Sequence, residues 1–414
     1  MERVEIIAVG DEILRGEVRE FNSSFLSREL ARIGLAPVRV TVLPDDVAVL
    51  EEAVREGVCR STLVVVTGGL GPTVDDVTVE AVIRALGGKS EVRDDIVHQV
   101  EARFRELGRP MPAAYRNQAR VPCGAVVLPN TVGAAVGLRL GGADCDLFLL
   151  PGVPGEMREM FNRSVLPAVS GRGTNPMRRL ATIGLTETEL EERLEQVLRS
   201  GEPRRLSIIS GPSGVDLYIP LDSVEDGVFE DIRLVLGSYC YTTGEESFEK
   251  VVVTLCAERR KCLTTAESVT GGLLASTVVS VPGASDVLIE GFVTYSDASK
   301  IERLGVDAAL VRRYGAVSEE VCVAMARGAR ERSGADFALS TTGIAGPGGG
   351  TAEKPVGLCY AGLAVPGAAF CRRFRLAGTR EMVRQRTAYR ALDLLRLHLI
   401  GAHDRLPPRR AEER

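Results

Sequence analysis

Histidine is scarce in this chain, and its cysteines are unpaired. Among 414 residues there are only three histidines, His98, His398 and His403. The nine cysteines are scattered as single residues, and no two of them show the C-x-x-C spacing. Zinc sites need clustered cysteine and histidine ligands, and disulfide frameworks need paired cysteines. We therefore expect neither a zinc site nor a disulfide scaffold.

The sequence also lacks long apolar segments. No apolar run reaches the length of a membrane-spanning helix. The segment Met1–Ile7 is charged and strand-like, without the apolar core of a signal peptide. Unpaired cysteines are typical of a reducing compartment. We expect a cytoplasmic protein that has no membrane partner.

Basic charge is not in excess. The formal net charge is −5, and arginine is interspersed with glutamate and aspartate. This balance argues against a protein that primarily binds nucleic acid. Hydrophobic residues make up 45% of the chain. That fraction, over this length, is enough for two to four domains with cores of their own.

Residues 1–171 alternate apolar strands with helices, which predicts an α/β domain built on a parallel sheet. The predicted strands are Val4–Val9, Val38–Leu43, Leu63–Thr67 and Phe148–Leu150. The predicted helices are Phe25–Ile33, capped by Asn22 or Ser23, and Asp46–Gly57. Active sites of such sheets lie at the carboxyl ends of the strands.

Residues 172–247 predict a small α+β middle domain, and residues 248–414 a second α/β domain. The middle domain has a capping box at Thr186 and Glu189, and strands on either side of Gly211–Gly214, which we interpret as a plain turn. In the last block we expect strands and helices at Gly291–Tyr295, Ala338–Thr342, Ser318–Ser333 and Arg380–Leu399.

A glycine-rich turn follows the buried strand Leu63–Thr67. Such a turn permits close approach of a phosphate, although many parallel sheets need one only for packing. Asp75 and Asp76 stand at the next helix start, where carboxylates either favour the helix dipole or bind a hard divalent cation. Asp11 and Asp45 are further carboxylates near predicted strand ends.

A second glycine-rich turn contains Ser268, at a predicted strand-to-helix junction. A serine there is either an ordinary helix cap or a nucleophile beside backbone N–H donors. Lys300 is the candidate base, if burial depresses its pKa, and Tyr295 could orient the pair. The glycine-dense segment Thr342–Gly350 could hold a substrate phosphate.

The amino-terminal motifs resemble the molybdopterin-binding-like domain that opens CinA-type competence/damage-inducible proteins. The motifs that carry the resemblance are Gly10–Gly16, Asn22-Ser23, Thr67–Thr78 and Pro151–Met157. The resemblance implies a diphosphate or pterin-phosphate ligand. It makes metal or catalytic candidates of Asp11, Asp45, Asp75 and Asp76. It also implies phosphate contacts at Gly68, Gly69, Gly71 and Thr73, with further contacts at Asn22, Glu156, Arg116 and Asn117.

The carboxyl-terminal motifs resemble the second domain of the same family, which is similar to nicotinamide mononucleotide deamidase. The matching segments are Ala266–Gly272, Tyr295–Lys300, Tyr314–Glu320, Thr342–Gly350 and Lys354–Gly357. The resemblance implies that Ser268 is the nucleophile and that Lys300 and Tyr295 are its partners, with no cofactor. The expected substrate contacts are Thr270, Gly271, Gly272, Thr342, Gly343, Gly346, Gly348 and Gly349.

Two positions depart from the family's usual pattern. Val269 stands where cysteine is frequent, and Asp297 where asparagine is frequent. Neither change removes a proposed catalytic group. Asp297 adds a negative charge near Lys300, which would raise the lysine pKa and weaken it as a base.

The leading hypothesis is a bifunctional hydrolase of pyridine-nucleotide recycling. One domain would deamidate nicotinamide mononucleotide, and the other would cleave ADP-ribose to AMP and ribose 5-phosphate with magnesium, manganese or cobalt. The expected partners are these nucleotides and a second copy of the chain. Two alternatives stay open: a molybdopterin-binding protein, and a non-catalytic partner of DNA-uptake or repair machinery.

Overall fold

In a computed structural model of the protein, the described residues are 2–411 apart from Val74, Leu107, Ala143, Asn175, 199–205, 221–226 and 408–409. The chain forms two compact units, Met1–Met177 with Pro220–Asp222 and Arg178–Ile219 with Ser223–Arg414. Within the described residues, no helix combines the length and apolar character needed to cross a bilayer.

The first unit is built on a mixed sheet. Its strands are β1 (Val4–Val9), β2 (Arg39–Leu43), β3 (Leu63–Thr67), β6 (Val126–Leu128), β7 (Gly137–Gly141) and β8 (Asp146–Leu150), in the order β2-β1-β3-β8-β7-β6. Strands β2, β1, β3 and β8 are parallel, while β7 pairs antiparallel with both β8 and β6. A separate ladder pairs β4 (Ser90–Val92) with β5 (Arg120–Pro122). The predicted parallel sheet is thus confirmed for its central strands.

Helices cover both faces of this sheet. They are α1 (Asp11–Leu14), α2 (Asn22–Arg32), α3 (Val47–Arg60), α4 (Thr78–Ala85), α5 (Asp94–Glu106), α6 (Pro154–Met160) and α7 (Leu166–Val169), with a 3-10 segment at Ala113–Ala119 and a π turn at Phe161–Val165. Side chains of β3 alternate between two apolar cores: Val64 and Val66 in one, Leu63 and Val65 in the other. A strand buried on both faces reads as a continuous apolar run.

The predicted cap of the second helix is wrong. Helix α2 begins at Asn22, three residues before the expected start, and its cap residue Phe21 makes no side-chain cap. The Asn22 amide donates to Thr67 Oγ1 and to the Gly152 carbonyl instead. These partners are distant in sequence, so tertiary contacts determine the role of the Asn22 side chain, and a local capping pattern does not.

The middle segment has its own antiparallel sheet, in the order β10-β11-β9-β12. Its elements are β9 (Met177–Thr182), α8 (Glu187–Leu194), β10 (Ser207–Ser210), β11 (Val215–Pro220), α9 (Val228–Leu236) and β12 (Cys240–Thr242), with a 3-10 turn at Gly237–Tyr239. The capping box of Thr186 and Glu189 is confirmed. Residues Gly211–Gly214 join β10 and β11, as the turn prediction required.

The carboxyl-terminal segment forms a third sheet, in the order β14-β13-β15-β16-β17-β18. Its strands are β13 (Leu263–Glu267), β14 (Leu288–Val293), β15 (Phe337–Gly343), β16 (Leu358–Val365), β17 (Ala368–Arg375) and β18 (Arg410–Ala411). Its helices are α10 (Phe248–Glu258), α11 (Leu273–Val279), α12 (Asp297–Leu304), α13 (Ala308–Tyr314), α14 (Glu319–Ser333) and α15 (Arg380–Leu399), with 3-10 turns at Ala284–Asp286 and His403–Arg405. Strands β14, β13 and β15 are parallel, so their carboxyl ends meet at one edge.

Within the second unit, the middle segment packs against the carboxyl-terminal segment. Ile183 shares an apolar core with Phe248, and the ring of Tyr241 meets that of Phe248 edge to face at 5.0 Å. Arg396 of α15 donates a 2.7 Å hydrogen bond to the Ser238 carbonyl. These contacts join the last two predicted domains, 172–247 and 248–414. The predicted domain boundaries at residues 171 and 247 stay predictions.

Candidate active sites

One cavity, of about 290 Å³, lies at the edge where β13, β14 and β15 end. Ser268 follows β13, Tyr295 follows β14, and the glycine-rich loop follows β15. Eight of the residues singled out in the sequence line this cavity: Ser268, Tyr295, Lys300, Thr342, Gly343, Gly346, Gly348 and Gly349. The structure therefore brings together residues that are up to 81 positions apart in the chain.

Ser268 is held through its backbone. Its N–H donates to the Thr341 carbonyl at 2.9 Å. In the described part of the chain, no hydrogen bond joins the Ser268 hydroxyl to Lys300. Catalytic hydrogen bonds are often long without substrate and tighten when it binds.

Lys300 is buried, with 1% of its surface exposed. Its Nζ donates to the carbonyl oxygens of Thr294 at 3.0 Å and Tyr295 at 3.2 Å. Burial lowers the pKa of Lys300 below the 10.5 of an exposed lysine. Asp297 opposes this and raises the pKa, as expected from its charge, but its effect is the smaller one. A solvated lysine, the alternative expected from spacing alone, is excluded by this burial.

Arg380, at the start of α15, is a cavity residue that the sequence analysis missed. It donates from Nη1 to the Gly346 carbonyl at 2.8 Å, and from Nη2 to the Tyr295 hydroxyl at 3.4 Å. The Tyr295 side chain is otherwise exposed. The helix Arg380–Leu399 is correctly predicted, but no local pattern marks which of its arginines faces the cavity.

Some of the residues expected to contact substrate make hydrogen bonds or packing contacts within the protein. The Thr270 hydroxyl shares a 2.6 Å hydrogen bond with Thr341 Oγ1, and the Gly272 N–H donates to Glu267. A Cβ at Gly343 would lie 2.6 Å from Cys359 Sγ, so close strand packing requires that glycine. Thr270, Gly271 and Gly272 are not among the residues that line the cavity.

A second cavity, of about 410 Å³, lies beside the first glycine turn. Five of the predicted residues line it: Gly69, Gly71, Thr73, Asp76 and Asn117. Gly68 is not among them. A Cβ at Gly68 would lie 2.3 Å from the Val9 carbonyl oxygen, so that glycine permits the close approach of β1.

The carboxylate of Asp76 closes this turn. It accepts hydrogen bonds from the backbone N–H groups of Gly71 and Thr73, both at 2.7 Å, and from the Thr73 hydroxyl. These N–H groups were expected to hold phosphate. In this conformation they bind an internal carboxylate, so a phosphate would have to displace it or bind elsewhere in the cavity.

Asp11 and Asp45 form a reciprocal pair beyond the lining of that cavity. The Asp11 N–H donates to Asp45 Oδ2 at 2.9 Å, and the Asp45 N–H to Asp11 Oδ1 at 3.3 Å. Burial raises the pKa of Asp45, and the charges of Glu12, Asp11 and Asp76 add to the rise. Negative charges that crowd together in this way are stabilised by a cation.

Among the described residues, no group of three or more histidine, cysteine, aspartate or glutamate side chains is placed to hold a metal ion. Asp75 is exposed. The donor set of Asp11 and Asp45 fits a hard cation whose remaining ligands come from substrate and water, which is usual for magnesium.

Asn22 and Glu156 contact neighbouring loops and do not line the cavity. Asn22 is 8% exposed, and its Oδ1 is a buried acceptor with no partner in the described structure. Glu156 accepts a hydrogen bond from Asn130.

Of the expected pair of anion contacts, Asn117 lines the cavity and Arg116 pairs with Glu101 at 3.5 Å. Gln118 and Arg120 line it as well and were not predicted, because only the fold brings their segment to the turn.

Two family models match this chain. Residues 5–171 match the "Probable molybdopterin binding domain", and residues 245–399 match the "CinA C-terminal domain". Together they include both candidate sites.

Relatives match over nearly the whole length. A "CinA-like protein" of Citrifermentans bemidjiense is 38% identical over 406 residues, which are 96% of this chain and 98% of the relative. A "CinA-like protein" of Chlorobium limicola is 39% identical over 412 residues, covering 94% and 95%. A crystal structure of a competence/damage-inducible protein from Agrobacterium tumefaciens is 39% identical, covers 37% of this chain and 93% of its own, and has a TM-score of 0.36. The chain belongs to the CinA family, with a molybdopterin-binding-like domain before its CinA domain.

Proposed function

We propose that the carboxyl-terminal site hydrolyses the carboxamide of nicotinamide mononucleotide, giving nicotinic acid mononucleotide and ammonia. One observation carries this: a single cavity holds the Ser268 hydroxyl, the buried Lys300 amine and the Arg380 guanidinium. A lysine with a lowered pKa can serve as base for a serine nucleophile. The resemblance to nicotinamide mononucleotide deamidase supports the choice of substrate.

The proposed reaction has two steps. Ser268 Oγ attacks the amide carbonyl carbon, while Lys300 accepts the hydroxyl proton and transfers it to the departing ammonia. Water then hydrolyses the acyl-serine ester and restores the serine. Among the described residues, the N–H group of Val269 has no acceptor, and Val269 lines the cavity beside Ser268, so this donor is available to stabilise the oxyanion.

Arg380 is the group we assign to the substrate phosphate. A guanidinium has five N–H donors, and that of Arg380 donates one hydrogen bond to the Gly346 carbonyl and one to the Tyr295 hydroxyl. The adjacent glycine Gly348 has open space where a Cβ would stand, so backbone can approach an anion there.

Ammonia release from nicotinamide mononucleotide tests the proposal directly. Nicotinamide riboside, which lacks the phosphate, is the matched control substrate and should react poorly. Folded protein that releases no ammonia from the mononucleotide would show that the site does other chemistry.

For the amino-terminal site we infer cleavage of ADP-ribose to AMP and ribose 5-phosphate. The supporting observation is the juxtaposition of a 410 Å³ cavity with the carboxylates of Asp76, Asp11 and Asp45. Magnesium, manganese or cobalt held by Asp11 and Asp45 would polarise the P–O bond and orient water. Arg120 lines the same cavity and pairs with Glu80 at 2.6 Å, so a diphosphate would compete with that carboxylate for the guanidinium.

Molybdopterin is the alternative ligand for this cavity, because the family model describes molybdopterin binding. Calorimetric titration with ADP-ribose and magnesium, alongside product analysis for AMP, separates the two. Binding without AMP formation would favour the molybdopterin-type role.

A further inference from the structure

Glu267 is a buried carboxylate immediately before Ser268. None of its surface is exposed. Its Oε2 accepts hydrogen bonds from the N–H groups of Gly272 and Leu274, both at 2.9 Å. Its Oε1 accepts from the Ala275 N–H at 2.8 Å and from the Thr265 hydroxyl at 3.3 Å. No ion pair to Glu267 occurs among the described residues. Backbone donors at the start of α11 therefore hold this charge.

Glu267 connects the two ends of the loop that contains Ser268. The backbone of Glu267 leads into the loop, while its side chain binds the N–H of Gly272 at the loop's far end. Gly271 and Gly272 have φ angles of 59° and 94°, which only glycine adopts readily. The carboxylate thus stabilises a turn that the local sequence permits but does not enforce.

Other contacts hold the same loop from outside. Thr341 accepts from the Ser268 N–H and bonds the Thr270 hydroxyl. Arg384 donates to the Thr270 carbonyl at 2.7 Å. Because Glu267, Thr341 and Arg384 all hold this loop, Ser268 has little freedom to move relative to Lys300.

Burying the Glu267 carboxylate costs free energy. Charge burial is offset only when hydrogen bonds and dipoles compensate fully, as the three N–H donors and the helix dipole do here.

We propose that Glu267 is a positioning residue, which fixes the Ser268 loop for attack. This inference rests on the proposed hydrolysis at Ser268. It assigns no proton transfer to Glu267, whose oxygens accept hydrogen bonds from backbone N–H groups and from the Thr265 hydroxyl.

The test compares Glu267→Gln with Val278→Ala. The glutamine has nearly the same shape, but one of its two terminal atoms donates instead of accepting, so the loop loses part of its support. Val278 is fully buried on the same helix, and its truncation destabilises the domain without touching the loop. We expect Glu267→Gln to lower kcat by roughly ten- to 100-fold with little change in KM. Val278→Ala should lower Tm and leave kcat unchanged.

Labelling of Ser268 by a fluorophosphonate provides a readout that does not depend on the substrate. Its rate should fall in Glu267→Gln by a similar factor, and stay at the wild-type value in Val278→Ala. If Glu267→Gln does not fold, Glu267→Asp keeps the charge but shortens the reach, and should show an intermediate loss. Wild-type kcat and labelling in either folded variant would overturn the positioning role. A wild-type protein that is labelled but releases no ammonia would overturn only the proposed function.

Discussion

Arg380 and Tyr295 are linked by a 3.4 Å hydrogen bond from the guanidinium to the phenol oxygen. The bond joins the first turn of α15 to the residues that follow β14, across 85 positions of sequence. It joins two residues that line the cavity beside Ser268. The phosphate contact proposed for Arg380 and the amide chemistry proposed for Ser268 can each be tested separately.

Ser268→Ala should abolish ammonia release from nicotinamide mononucleotide, because the nucleophile is lost. The expected fall in kcat is about 10³-fold or more. Circular dichroism and Tm should be nearly unchanged. Ser280→Ala, at the exposed end of α11, is the control and should retain full activity. Undiminished hydrolysis by Ser268→Ala would show that another group attacks the amide.

Arg380→Ala should raise KM for the mononucleotide by about tenfold or more, because a charge-assisted hydrogen bond to phosphate is lost. The weak reaction of nicotinamide riboside should be unaffected, since that substrate has no phosphate. Arg386→Ala, on the same helix but outside the cavity lining, is the control. Equal losses with both substrates would assign Arg380 a structural role.

The pH profile should reflect Lys300. As a base the amine must be neutral, so kcat/KM should rise as pH increases through its lowered pKa. Between this pKa and the higher pKa of the same lysine in the unfolded chain, the unfolded state binds more protons. The free energy of unfolding should therefore also rise with pH in that window. Lys300→Met should remove both the activity and this part of the stability profile. A profile with no alkaline rise would contradict the assignment.

Asp297→Asn should shift the alkaline rise of kcat/KM to lower pH. The Asp297 charge raises the pKa of Lys300, so its removal lowers that pKa further. The control is Glu302→Gln on the same helix, a residue that is not among the causes of the shift. An unchanged profile in Asp297→Asn would mean that solvent screens this charge completely.

Chelation should separate the two sites. EDTA should stop AMP formation from ADP-ribose and spare ammonia release, because the serine–lysine reaction uses no metal. Asp45→Asn should mimic chelation, since a neutral amide is a poorer ligand for a hard cation. Cleavage of ADP-ribose that survives complete chelation would remove the metal from the proposal.

A fragment of residues 178–414 should be more stable than one of residues 248–414. The shorter fragment loses the Tyr241–Phe248 contact and the Arg396–Ser238 hydrogen bond. Its Tm should fall by several degrees, because buried apolar surface becomes exposed. Its ammonia release should persist, since every residue assigned to that site lies after 248. Equal Tm values would show that the middle segment contributes nothing to stability.

Local pattern predicted much of this protein. The apolar run Leu63–Thr67, the capping box at Thr186 and the helix Arg380–Leu399 have the expected bounds, because each depends on neighbouring residues. The meeting of Ser268, Tyr295 and the loop after β15 also follows from sequence, since parallel strands end at a common edge.

Tertiary structure decided what those residues contact. Burial of Lys300 and the approach of Arg380 depend on packing between distant segments, which no local spacing reveals. The same holds for Gly71 and Gly272, whose N–H groups bind Asp76 and Glu267 and not a ligand in this structure. Sequence by itself indicated the family, many of the elements and the residue types at each turn. Only the fold determined which donors are free, because a hydrogen bond is set by the position of both its partners.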